Sequence, residues 1–276
     1  MNILNSRLSL NPGKLFPVAW SDIRGTFICY HVITTMGWQD IATRYKRTRF
    51  GAFWLTIGTA VTIAALGFIF GSLFKQPIKE YLPFLTIGTL IWNLLSQCLI
   101  EGSNSFVVSS GIILQVRLPL FIHVMRVLWR NIIILGHNLL ILPLVFLIFL
   151  RPVPVNVLLV IPGFLLLTAN ISWIMLALAI ICARFRDVSQ IVANVIQIMY
   201  FVTPVMWNEK LLPARAGTAI LDYNPLYHLI SIVRAPLLGN LPTEMNWIFS
   251  LILMVAGWIL TMGLFGRYHK RIAYWL

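Results

Sequence analysis

Six runs of predominantly apolar residues divide the chain, at roughly 51–74, 82–102, 120–149, 155–182, 188–207 and 246–266. Each approaches the length of about 20 helical residues that crosses the hydrocarbon of a bilayer. The expected fold is therefore all-α: a polytopic membrane protein with six transmembrane helices, forming one domain over 1–276. The third and fourth runs are long enough to tilt or to project beyond the hydrocarbon, and Pro143 and Pro162 predict a kink in each. Residues 1–50 contain no spanning run and lack the basic, apolar, small-residue order of a cleaved signal. Asn11-Pro12-Gly13 marks a turn. After it, Trp20 to Ile33 mixes apolar residues with Asp22, Arg24 and His31, which predicts an amino-terminal helix lying in the interface plane. The segment 207–245 carries Pro213, Pro225, Pro236 and Pro242 around two short apolar patches, Leu211–Leu212 and Leu226–Ile232. It predicts two short re-entrant helices, since irregular backbone at membrane depth must be buried in protein or line a cavity. A loop resting on the membrane surface is the alternative.

Charge fixes the expected orientation. Of 21 Lys and Arg, fifteen fall on the side that holds both termini, including Arg44, Lys46, Arg47, Arg49, Arg184, Arg186 and Arg267. Lys75, Lys79, Arg151, Lys210, Arg215 and Arg234 fall on the other side. The excess places both termini, and the tail 267–276, in the cytoplasm. Composition agrees with the spans: 59% of residues are hydrophobic and 11% charged, with a mean hydropathy of +0.86. A soluble domain carries about 25% charged residues, so an ordinary soluble enzyme is excluded. The net charge of +13 then reads as contact with anionic lipid headgroups and cytoplasmic anchoring, not as nucleic-acid binding.

Recognisable catalytic chemistry is missing. No G-x-x-x-x-G-K-[ST] loop is present, so the chain is not expected to hydrolyse ATP itself. The eight acids form no D-x-x-D cluster, and the five histidines no H-x-x-x-H pair. Cys29, Cys98 and Cys182 are odd in number and widely spaced. No catalytic or metal site is expected. A secondary transporter would need an acid near mid-span and an integral-membrane transferase clustered acids; neither pattern is found.

Three polar features remain. The run Arg44-Tyr45-Lys46-Arg47-Thr48-Arg49 precedes span 1; it suits a phosphate or pyrophosphate headgroup at the interface, or plain anchoring. Span 3 carries Arg126 and Arg130 on one face, with Glu101 at the end of span 2 as a partner. Polar stripes run along span 5, at Gln190, Asn194 and Gln197 followed by Phe201, and along span 2, at Asn93, Gln97 and Glu101. Such stripes face a bundle interior or a wet path, or bond helices to one another. Phe53 and Trp54 open span 1, where aromatic faces in a path would stack on sugar rings.

The order of these pieces resembles a family. Trp38-Gln39-Asp40-Ile41, Arg44-Tyr45-Lys46-Arg47-Thr48 and Gly51-Ala52-Phe53-Trp54 resemble the entrance to the first span of polysaccharide ABC exporter permeases. Leu118-Pro119-Leu120, Arg126, Arg130-Asn131 and His137-Asn138 are similar to its third span. Ala183-Arg184-Phe185-Arg186-Asp187 is similar to the loop after span 4. Thr203-Pro204-Val205-Met206 and Asn224-Pro225-Leu226 are similar to its external region. The pattern is nearest the O-antigen lipopolysaccharide export branch, with capsule and teichoic acid permeases as relatives and a multidrug or small-lipid permease as the rival. The resemblance implies a homodimer in the cytoplasmic (inner) membrane, paired with two copies of a separate ATPase subunit. That partner would bind the ATP and magnesium; this chain would hold no cofactor. The implied cargo is a polyprenol-pyrophosphate-linked polysaccharide, engaged through Arg44, Tyr45, Lys46, Arg47 and Arg49. The conduit would be lined by Phe53, Trp54, Gln190, Asn194, Gln197 and Phe201. The amino-terminal helix and the loop 102–116, with Ile112, Ile113 and Leu114, would dock the ATPase.

Overall fold

The computed structural model describes residues 15–46, 51, 53–150, 152, 154–209 and 221–276. Among them the fold is all-α. The helices are α1 (Leu15–Ile28), α2 (Tyr30–Tyr45), α3 (Phe53–Leu73), α4 (Ile78–Ser103), α5 (Ser105–Val108), α6 (Ser110–Gln115), α7 (Phe121–Asn138), α8 (Ile141–Ile148), α9 (Val160–Arg184), α10 (Val188–Val202), α11 (Pro225–Leu237) and α12 (Glu244–Trp275), with a 3₁₀ turn at Val155–Leu159.

Five helical stretches among the described residues are long and apolar enough to cross a membrane: Phe53–Leu73, Ile78–Ser103, Phe121–Ile148, Val155–Arg184 and Glu244–Trp275. The expected fifth span, 188–207, is shorter than its apolar run. Helix α10 has 15 residues, about 22 Å at the usual rise, against a hydrocarbon thickness of about 30 Å. It stops because Pro204 follows: Thr203 is pushed to φ −86°, ψ 135°, the extended region that a following proline favours.

Proline acts differently in the third and fourth spans. Pro143 clashes with the carbonyl four residues earlier, and the helix is interrupted at Leu139–Leu140, between α7 and α8. Pro162 does not kink α9. It lies in the first turn, where its missing N–H costs nothing, and the disturbance is displaced to the preceding 3₁₀ turn.

Helix α4 is the hub. Most of its residues are buried, and it packs against α3, α7, α9, α10 and α11. By contrast, α3 buries only Ile63, Gly67 and Gly71. Helix α11 lies against α4, α9 and α12 with nine buried residues, including His228 and Arg234. The approach to α9 is tight: a Cβ on Gly163 would lie 2.6 Å from the Ile232 carbonyl oxygen. Close helix contact through small residues is the usual packing mode in lipid. The Leu211–Leu212 patch falls outside the described residues.

The amino-terminal segment forms two helices, bound to different parts of the bundle. Helix α1 packs along α12, and α2 along α7. A Cβ on Gly266 would lie 2.1 Å from the Leu15 carbonyl oxygen, so only glycine admits that crossing. Asp22 of α1 is buried. Its carboxylate accepts the Leu120 and Phe121 N–H groups at 2.9 and 3.0 Å, filling in trans the capping role that local residues leave open at the start of α7. His269 of α12 completes the cluster, with Nε2 2.8 Å from Asp22 Oδ2.

Asp22→Ala should therefore cost about 2 kcal/mol, the upper end of what an N-cap contributes. Amide exchange at Leu120 and Phe121 should accelerate. Asp22→Asn, which keeps one acceptor, should fall between. Unchanged exchange at both amides would show that the cap does not hold α7.

Candidate functional site

The charges on span 3 form a closed cluster. Asp40 on α2 accepts from Arg126 in a fork, Nε at 2.8 Å with Nη2 on the other carboxylate oxygen. Arg130 Nη1 reaches the same carboxylate at 3.2 Å, and its Nη2 donates to Glu101 Oε2 at 2.7 Å. Asn131 Nδ2 adds a bond to Glu101 at 2.9 Å. Two guanidiniums face two carboxylates, so the cluster is neutral and ties α2, α4 and α7 together. Glu101 is the partner the sequence offered. Asp40 was missed; its signal was an acid four residues before Arg44, on a helix that had no reason of its own to dock on span 3.

Beside the cluster lies a polar cavity of about 300 Å³ between α3, α4 and α7, reaching Arg44 at the end of α2. The span 2 stripe Asn93, Gln97 and Glu101 forms one wall, and Asn131 and Asn138 form another. Arg44 and Lys46 are exposed and Tyr45 is half-buried. Arg47 and Arg49 lie outside the described residues.

A second depression, a groove of about 860 Å³, runs between α3 and α10 with α4 as its floor. Trp54, Gln197 and Phe201 line it, with Thr59, Asn93, Trp92 and Tyr200. Phe53 lies elsewhere: its ring meets that of His137 edge-on at 5.9 Å. Gln190 and Asn194 are exposed and bond weakly to each other at 3.4 Å. The groove mixes hydroxyls, amides and aromatic faces, a surface that can bond and stack without trapping a polymer.

The groove's far end abuts a clamped segment, 203–206. Asn224 caps α11 through Leu226 N–H and Tyr227 N–H, at 3.0 and 3.3 Å. Its Nδ2 donates to Thr203 Oγ1 at 3.0 Å. Arg234 Nη1 donates to the Pro204 carbonyl at 2.6 Å, and its guanidinium lies 4.3 Å from the Phe84 ring centroid. Tyr81 Oη donates to the Met206 carbonyl at 2.5 Å. Arg234, counted along the sequence only as an outer-side charge, is thus a buried clamp residue.

The segment expected to dock a partner is helical, as α5 and α6. No residue of α6 is buried. Ile112 and Ile113 are half-buried, Ile113 against the core, and Leu114 is 60% exposed. Among the described residues no group of three or more His, Cys, Asp or Glu could hold a metal ion.

Residues 31–238 match the family model described as ABC-2 type transporter, a stretch that includes the ionic cluster, the cavity, the groove and α11. Two curated relatives, each an O-antigen export system permease protein RfbA of Klebsiella pneumoniae, are 26% and 25% identical to this chain over 246 residues. Each alignment covers 85% of this chain and 91% of the relative. The chain accordingly resembles the polysaccharide exporter permeases, as its motifs indicated.

Removing one carboxylate from the cluster leaves a guanidinium without its partner at membrane depth. Asp40→Asn should lower stability by about 3–5 kcal/mol, and Arg126→Gln in the same chain should recover part of it. A double-mutant cycle by thermal unfolding in detergent measures the coupling. Strict additivity of the two losses would show that the pair contributes nothing.

Proposed function

The chain belongs to the ABC-2 type transporter family, and from that premise we propose that it is the membrane subunit of an exporter for a polyprenol-pyrophosphate-linked polysaccharide of the O-antigen type. A separate ATPase subunit drives it. The observation that carries the cargo class is the groove between α3 and α10, where hydroxyl, amide and aromatic groups meet along one path. A glycan needs such a lining, because its hydroxyls cannot be desolvated without partners. A purely apolar drug or lipid path would have no use for Thr59, Asn93 and Gln197 there.

The groove is open-sided, and α3 exposes Phe53, Trp54, Val61, Phe68 and Leu73. A second copy of the chain facing this side would close the groove into a conduit, which supports a homodimer. Six spans follow if α10 counts as the sixth, with the extended segment 203–206 completing its crossing. Helix α11 is then a re-entrant helix that closes the external end, braced by Arg234 and Asn224. Both termini lie on the cytoplasmic side of the inner membrane. There α5–α6 presents Leu114 to the ATPase, two copies of which serve the dimer, and Arg44 and Lys46 meet the pyrophosphate.

The purified chain should show no ATP hydrolysis, and coexpression with its cognate ATPase should give a stable assembly of two copies each. Replacing Ile112 and Leu114 by Asp should dissociate or uncouple the ATPase while membrane insertion persists. Survival of both assembly and coupled transport would place docking elsewhere.

Path lining is read by thiol chemistry. In a chain lacking Cys29, Cys98 and Cys182, Gln197→Cys should react with a water-soluble thiol reagent, and lipid-linked glycan should slow that reaction. Asn194→Cys, one turn away, reports how far the wet route extends. An inert thiol at both positions, beside a reactive control in α11's flanking loop, would mean that the stripe packs between helices.

A further inference from the structure

The cavity between α3, α4 and α7 is separate in shape from the groove but shares Leu55, Thr59 and Asn93 with it. Its lining is unlike that of a helix-packing seam. Four amide side chains, Asn93, Gln97, Asn131 and Asn138, face it together with Glu101 and Arg44. Asn138 is 5% exposed, yet its Oδ1 has no hydrogen-bond partner. The Nε of Arg130, in the adjoining cluster, is likewise without a partner. A buried carbonyl oxygen left open is anomalous at membrane depth, where polar groups normally find partners within the protein.

Together these groups ask for a ligand of definite chemistry. Asn138 Oδ1 and the Glu101 carboxylate accept; the amide nitrogens of Asn93 and Gln97 donate, with Arg44, while Asn131 Nδ2 is committed to Glu101 and the Val127 carbonyl. A cation would gain little, since Glu101 is already paired with Arg130. A free anion would find a single guanidinium at the mouth and amides within. A group bearing several hydroxyls both donates and accepts, and matches the lining. About 300 Å³ exceeds the share of one bridging water, about 30 Å³, roughly tenfold, and stands at the lower limit of small-molecule sites, about 300 Å³. That is room for one sugar ring and not for a chain. Arg44 carries no ion pair among the described residues and stands where the ring's phosphate would emerge.

We propose that this cavity is a subsite for a single sugar ring joined to phosphate, with Asn138, Asn93, Gln97 and Glu101 reading its hydroxyls and Arg44 holding the phosphate. This rests on the reading of the chain as a permease for phosphate-linked glycan and names the part of the cargo that is inspected before entry. The ring next to the phosphate sits beside the groove, and the shared wall at Thr59 and Asn93 lets it pass from one to the other.

The test is protection of a thiol in the nucleotide-free complex of chain and ATPase, so it does not depend on transport or hydrolysis. Ile134→Cys, at a lining position outside the recognising set, is titrated in the cysteine-less chain with a small charged thiol reagent. The probes are hexose 1-phosphates, N-acetylhexosamine 1-phosphates, the matching free sugars and inorganic phosphate. At least one sugar 1-phosphate should slow labelling at Ile134→Cys while Asn240→Cys, outside the cavity, is unaffected. Asn138→Leu should raise the half-protecting concentration about tenfold, as loss of one buried hydrogen bond does. Arg44→Gln should abolish the advantage of the 1-phosphates over the free sugars. Should Asn138→Leu fail to assemble, Asn93→Ala removes an amide of the facing wall. No protection by any sugar 1-phosphate would show a merely hydrated cavity. Equal protection by inorganic phosphate alone would show an anion site without sugar recognition. Either result overturns the subsite and leaves the export reading intact, since ATPase coupling and groove labelling test that separately.

Discussion

Two guanidinium groups on one face of a membrane helix set the terms for everything around them. Arg126 and Arg130 cannot face lipid, and they cannot stay inside the bundle without carboxylates. One carboxylate comes from the end of α4 and the other from α2, a helix of the amino-terminal segment. The requirement to neutralise span 3 is thus what recruits α2 into the bundle, and α2 in turn carries Arg44 to the edge of the polar cavity. Asp22 does the same one helix earlier, linking α1, the start of α7 and α12. A segment that composition marks as interfacial is fastened to two spans, α7 and α12, through the carboxylates of Asp22 and Asp40.

Helix α4 shows how one element serves two environments. Its Leu90 and Leu94 belong to the core, while Asn93 and Gln97, on the neighbouring face, open onto the cavity. Asn93 faces the groove as well. Because α4 is covered on nearly every side, its polar stripe is shielded from lipid and can remain polar. The stripe on α10 is placed differently. It lies at the margin of the subunit, where Gln190, Asn194 and Gln197 are exposed and no helix among the described residues covers them.

At the opposite end, the extended segment after α10 is held by side chains distant in sequence. Thr203 meets Asn224, the Pro204 carbonyl meets Arg234, and the Met206 carbonyl meets Tyr81. Non-helical backbone at membrane depth survives only when such donors find its carbonyls. The clamp also explains why Thr203-Pro204 and Asn224-Pro225 occur in one chain: the two motifs are halves of a single contact.

Much of this was legible along the chain. Apolar run length set the helical class and five of the spans, because a bilayer imposes a length that any sequence must meet. Pro143 marked its interruption, and Arg126, Arg130 and Glu101 announced a buried charge problem. Run length misjudged α10, where Pro204 ends the helix before the apolar residues do. Charge counting set Arg234 among the charges of the outer side without marking it as buried, since a short apolar stretch bearing one arginine looks the same whether it lies on the surface or inside. What only the tertiary structure decided was pairing: that Asp40 answers Arg126, that Asp22 caps a helix 98 residues away, and that Asn93, Asn131 and Asn138 surround one cavity. Spacing along a helix fixes which residues share a face, but the partner of that face depends on how helices cross, and that follows from glycine contacts and ion pairs between residues far apart in the chain.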